Sequence, residues 1–313
     1  MLVQISYAIA GLALLLFAMR QLIKSLNREV VRYVGSGNAI LSGLAATLVV
    51  QASSVTIVST MGFLCRGLIT LESSILIVLG AAVGSSLKGL YVFQVSFLAG
   101  PILLLVGVLG HRRHLFEVLI SIGMIFLGFQ LIETGLVSIA QIDFIQGLFE
   151  GSIFKTVLFG FFLASVLQSS SAVLLLVISF ASQGFISIPA AMGVLLGANL
   201  GTTITPLIVS FGQESIEARK LAYGYFLMKL SAISLVLIYF RTHLALLEDL
   251  SLFCEFDKRP EISVVFFHIW FNLMTALSWW VLLPLLVRFL NWLVPGKELT
   301  VGTTPFTIGI QKL

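Results

Sequence analysis

The sequence predicts an all-α polytopic membrane protein: two inverted repeats, each with a re-entrant helical hairpin, plus a final transmembrane helix. Three observations carry that prediction. First, 58% of the 313 residues are hydrophobic and only 10% are charged, with a mean hydropathy of +1.09. A soluble domain carries roughly 25% charged residues. Second, two polar runs, Gln51-Ala52-Ser53-Ser54 and Gln168-Ser169-Ser170-Ser171, each sit in the middle of an apolar segment. Third, a glycine-bracketed segment follows each run, Gly80 to Ser86 and Gly197 to Thr203. Both pairs stand at one offset (168 − 51 = 117 and 197 − 80 = 117). Two matched motifs at a fixed offset indicate an internal repeat.

Composition also excludes several classes. The net charge is only +4, and the basic residues sit at the ends of apolar segments, so nucleic acid is not an expected partner. Cys65 and Cys254 lie far apart and define neither a metal spacing nor a disulfide framework. The sequence shows no paired carboxylates, no nucleophile–histidine pairing and no phosphate-binding G-x-x-x-x-G-K-[ST] loop, so neither an enzyme nor a resident cofactor is expected.

Taken in order, residues 3–19 form a first helix that is retained rather than cleaved, because its positive charges follow the apolar run. Arg20, Lys24, Arg28 and Arg32 place the next loop in the cytoplasm and the N-terminus outside. Segment 36–65 is too long for one span and too short for two; a hairpin of two half-helices fits, with the polar run at its tip. Segments 73–93 and 95–110 complete the first repeat, 1–110. His111-Arg112-Arg113-His114 marks a cytoplasmic turn that opens the second repeat, 111–240. Segment 115–138 crosses outward, a second hairpin spans about 155–184, and 187–210 and 219–240 follow. Residues 241–261, rich in acids, suit an external loop. Residues 262–313 hold the final helix and a cytoplasmic tail. Inverted repeats with broken helices and a site at mid-membrane are characteristic of secondary transporters.

The polar runs carry the chemistry. Irregular backbone at membrane depth persists only where protein or a wet cavity covers it. Free carbonyls at the end of the incoming half-helix suit Na⁺; free N–H groups and the positive dipole end of the outgoing one suit an oxyanion. Gln51, Ser53, Ser54, Gln168, Ser169, Ser170 and Ser171 are the expected binding residues. Asn199, Thr202 and Thr203 add donors and acceptors to the same zone.

These motifs resemble those of the sodium/phosphate cotransporter family. LVVQASS, SVLQSSSAV and GANLGTTITPL look like its duplicated QSSS motif and the segments that follow, and FHIWFN (Phe267 to Asn272) resembles a late family motif. The resemblance covers about residues 10–290. It implies phosphate and Na⁺ as substrate and coupling ion, with alternating access at mid-membrane and the cell inner membrane as location. It also implies a Na⁺ site drawn from Ser170, Ser171, Asn199 and Thr203. The chain looks like a short bacterial-type member without the C-terminal domain that resembles the PhoU protein.

The first half departs from that pattern. Ala52 replaces a serine, Ala82 stands opposite Asn199, and Lys88 stands opposite Thr205. Lys229 falls about where family members have asparagine. A lysine at bilayer depth costs about 2.5–3.5 kcal/mol, so each either snorkels to water or has a task. Lys88 is expected near the substrate anion or in place of a bound Na⁺. Two alternatives to Na⁺-coupled uptake stay open: an exporter of phosphate or another small anion, and a non-transporting scaffold or sensor with a degenerate first repeat.

Overall fold

The computed structural model describes residues 38–50, 53–87, 99–110, 114–139, 151–212, 215–255 and 259–296, with scattered positions before residue 22 and residues 147 and 149. The helices in these stretches are α1 (Ala39–Val50), α2 (Ser53–Cys65), α3 (Leu71–Ser86), α4 (Ala99–Leu109), α5 (His114–Ile139), α6 (Ile153–Leu167) and α7 (Ser170–Ser182). They continue with α8 (Ile188–Gly201), α9 (Ile204–Phe211), α10 (Ile216–Ile238), α11 (Phe240–Phe253), α12 (Pro260–Val281) and α13 (Leu283–Leu293). Among the described residues three stretches are long and apolar enough to cross a membrane: Ile188–Phe211, Ile216–Ile238 and Pro260–Val281. The chain is thus a helical membrane protein.

The starts of several helices are locally encoded. A helix leaves its first N–H groups without partners, and apolar surroundings do not supply any. Thr70 accepts from the Ser73 N–H, Ser169 from Ala172 and Ser187 from Ala190. The ends are encoded as well. Gly67 (φ 66°) follows α2, and Gly184 (φ 73°) follows α7. Each closes its helix with the same pair of backbone bonds: Gly67 to Leu64 and Leu68 to Phe63, Gly184 to Ala181 and Phe185 to Phe180. Such left-handed closures favour glycine.

The Thr70 cap and the Gly67 closure recur 117 residues on, as Ser187 and Gly184. So does the packing. α1 lies against α3 as α6 lies against α8. A Cβ at Gly43 would collide with the Ile77 carbonyl, and one at Gly160 with that of Val194. Gly80 meets the Ile40 carbonyl as Gly197 meets Val157, and Gly84 meets Leu44 as Gly201 meets Phe161. Small residues in such rows let helix backbones touch.

Two apolar cores result. One joins α2, α3, the first half of α10, the end of α12 and α13. The other joins α6, α7, α8, the end of α10, and the first half of α12. α10 and α12 therefore bridge the cores in opposite senses.

The structure refines three expectations. Residues 187–210 do not form one straight helix but break at Thr202 and Thr203, between α8 and α9. The final segment breaks at Leu282, between α12 and α13. Most of the stretch expected as a loop, 241–261, is helical as α11, which buries Leu247 and Ser251.

Candidate functional site

The polar runs lie where the apolar cores end. Between α6 and α7 the chain turns at Gln168, which adopts a left-handed conformation (φ 52°), and Ser169, which caps α7. For a non-glycine residue that conformation is uncommon and marks a defined turn. Ser170 and Ser171 begin α7 and are buried. On the other side Ser53 is buried and begins α2. The two runs touch: the Ser54 hydroxyl donates to the Gln168 carbonyl at 3.3 Å. Gln51 and Lys88 lie outside the described residues, as does Ala52.

Below the turns lies a layer of buried hydroxyls. Thr47 and Thr56 share a hydrogen bond of 3.0 Å between α1 and α2. Thr202 donates to the Asn199 carbonyl and Thr203 to that of Leu200. Ser85 and Ser86 do the same to Ala82 and Val83, 117 residues earlier. Each of these last four hydroxyls, of Thr202, Thr203, Ser85 and Ser86, spends its proton on a carbonyl three residues earlier in its own stretch. What it turns outward is oxygen lone pairs, which suit a cation better than an anion.

At the centre is Lys229. Its ammonium donates to Asn199 Oδ1 at 2.8 Å and Asn272 Oδ1 at 2.6 Å. It also lies over the Phe271 ring, 5.2 Å from the centroid. Both amides are held from behind: Asn199 Nδ2 donates to the Leu195 carbonyl and Asn272 Nδ2 to that of His268, each at 2.9 Å. The nitrogen side of each amide is thus engaged, and the oxygen is the atom presented to the ammonium. Asn199, Lys229 and Asn272 are the twelfth, fourteenth and thirteenth residues of the three long spans. The cluster therefore sits near mid-length of all three.

Of the residues expected from sequence, the structure joins Ser54 to Gln168 and places Thr202 on Asn199. It turns Asn199, expected as a Na⁺ ligand, toward a lysine. Asn272 is not among the residues the sequence singles out for binding. Its signal was an amide at mid-span of an apolar helix, where polar groups rarely stand idle. Tyr225, hydrogen-bonded to Thr202, is a second such residue.

A family model described as Na+/Pi-cotransporter matches residues 9–134 and 137–250. Among curated relatives, YjbB of Salmonella typhimurium, a name that proposes inorganic phosphate export, is 32% identical over 288 residues. The match takes in 88% of this chain and 51% of that protein. YjbB of Escherichia coli K12 is 31% identical over 257 residues, covering 79% of this chain and 45% of the relative. The chain thus spans about half the length of these relatives. An uncharacterised protein of Bacillus subtilis, YqeW, is 27% identical over 269 residues, 83% of this chain and 85% of its own. No solved structure matches the chain at comparable strength.

Proposed function

Because the chain belongs to the Na+/Pi-cotransporter family, we propose that it is a carrier, not an enzyme, that moves inorganic phosphate across a membrane. The observation that carries this reading is the direct contact between the two polar runs, Ser54 to Gln168, beside a buried polar layer. Phosphate would meet the first turn of α7, where Ser170 and Ser171 and the positive end of the helix dipole converge. The lone pairs of Thr202 and Thr203, and of Ser85 and Ser86, would face a Na⁺ ion carried with it. Gln51 and Lys88 belong to the same proposed zone by their positions in the first repeat.

The mechanism we infer is alternating access by two inverted repeats, each with a re-entrant hairpin. α1–α2 and α6–α7 would be those hairpins, entering from opposite sides. The recurrence of caps, closures and glycine contacts at one offset supports the repeat. The charge bias of the loops supports an external N-terminus and a cytoplasmic C-terminus in a cell inner membrane.

Export is the second reading, favoured by the names of the YjbB relatives. One experiment addresses both. Purified protein in liposomes is assayed for radiolabelled phosphate movement, inward and outward, with and without a Na⁺ gradient. Carrier function predicts saturable flux and exchange of internal for external phosphate. A protein that binds no phosphate and moves none is a scaffold or sensor, and the reading fails.

A further inference from the structure

Lys229 has no acid beside it among the described residues. Among the described residues the ion pairs are Lys220–Glu217 and Arg259–Glu261, and neither reaches it. Among the described residues its positive charge is met by neutral dipoles: two amide oxygens and one aromatic face. Burying an ammonium without a counter-charge is costly, and the cost falls only where oxygens are pre-aimed. Here they are pre-aimed, because each amide is anchored through its nitrogen to its own helix.

That arrangement is a cation shell. Neutral oxygens converging on one point, in a water-poor interior, are what a monovalent metal ion selects. The three spans that supply it, α8 with α9, α10 and α12, meet near mid-length. α10 and α12 each pack against both apolar cores. A charge held on α10 there touches α8 and α12.

We propose that Lys229 is a tethered cation. Its ammonium fills the place between Asn199 and Asn272 that a Na⁺ ion would otherwise take, so the protein needs no Na⁺ at that position. The consequence for coupling rests on the transport reading above; the cation site itself does not. A free ion is released on one side of the membrane and spends its gradient. A tethered one is released on neither. Phosphate movement would then draw on one ion fewer than the oxygen shell suggests.

The test uses purified full-length protein without phosphate. Thermal unfolding is followed in NaCl and in choline chloride at equal ionic strength. Lys229→Ser removes the ammonium and leaves both amides. It is expected to gain a Na⁺-specific rise in Tm of several degrees beyond any shown by the wild type. Lys229→Met, which refills the space with a neutral chain, is expected to gain none. Adding Asn272→Ala to Lys229→Ser should remove the gain. A Lys229→Ser protein that answers Na⁺ no more than the wild type overturns the proposal.

Asn272→Ala and Asn199→Ala, with Lys229 intact, decide the matter if Lys229→Ser is not recovered folded. Both should keep the wild-type Na⁺ response. A lost or weakened response would mean that the amides already ligate Na⁺, and the tethered cation fails. A protein that passes these tests yet moves no phosphate keeps the cation site and loses only the transport reading.

Discussion

α1–α3 and α6–α8 are built with the same parts and end with different chemistry. The limits of α2 and α7 agree at the 117-residue offset: α2 runs from Ser53 to Cys65 and α7 from Ser170 to Ser182. Thr70 and Ser187 cap corresponding helices, and the glycine contacts match pair for pair. Where the two units face the interior they part. The second has Asn199, which holds Lys229; the first has Ala82, a methyl group. The second caps its broken turn with Ser169; the first has Ala52 there. Backbone packing leaves little freedom to vary, since a single added carbon collides with a carbonyl. Side chains in a polar layer are under no such limit, so one unit can carry most of the binding groups while the other keeps the frame.

The largest effect should come from breaking the shared frame. Gly197→Leu and Gly80→Leu each drive a side chain into a backbone carbonyl, of Val157 and Ile40 respectively. Ordinary overpacking costs about 1–3 kcal/mol, and a backbone cannot yield as a side chain does. Both variants should fail to give monodisperse protein in size-exclusion chromatography. If only one fails, the two units are not equivalent as frames.

Next in size is the asymmetry at the centre. Asn199→Ala removes one hydrogen bond to a charged group, worth about 1.5–3 kcal/mol. Phosphate flux in liposomes should fall about tenfold or more, and Ala82→Asn in the same protein should not restore it. Rescue would mean that the units are interchangeable chemically as well as structurally.

A smaller contrast separates the polar runs. Ser170→Ala should weaken phosphate binding by roughly tenfold, the worth of a hydrogen bond to a charged ligand, and Ser53→Ala by less. Isothermal titration of both variants reads the difference, and equal losses would erase the asymmetry. The smallest effect is expected at the contact between the runs. The Ser54 to Gln168 bond is long, at 3.3 Å, and Gln168 is exposed. Ser54→Ala should lower stability in chemical denaturation by less than about 1 kcal/mol.

The elements that repeat were legible because repetition is written in the order of residues. The expected second hairpin, 155–184, is occupied by α6 and α7, and the glycine pairs could be counted before any helix was seen. α11 was not legible. Its acids, Glu248 and Asp249, read as a loop, yet they lie on the open side of a helix that buries Leu247 and Ser251. The central cluster was half legible. Lys229 announces itself as a charge inside a span, but its partners lie 30 and 43 residues away in sequence. Asn272 has no counterpart at the repeat offset, so the device that exposed the other polar groups passes over it. Gln51 and Lys88 fall outside the described residues, so their place in the site rests on position in the repeat.

The glycine contacts also have a mechanical consequence. Where α1 meets α3, and α6 meets α8, backbone rests on backbone at three successive crossings. No side chain lies between them to change rotamer, so sliding one helix along the other would lift carbonyls over Cα atoms. Each pair is therefore a stiff plank, and any working motion of the molecule must be taken up at softer joints. The breaks at Thr202–Thr203 and at Leu282 are where such joints would lie, because the regular helical hydrogen-bond ladder is interrupted there. In any such motion the levers would be the glycine-packed helix pairs, and the hinges the places where helices stop.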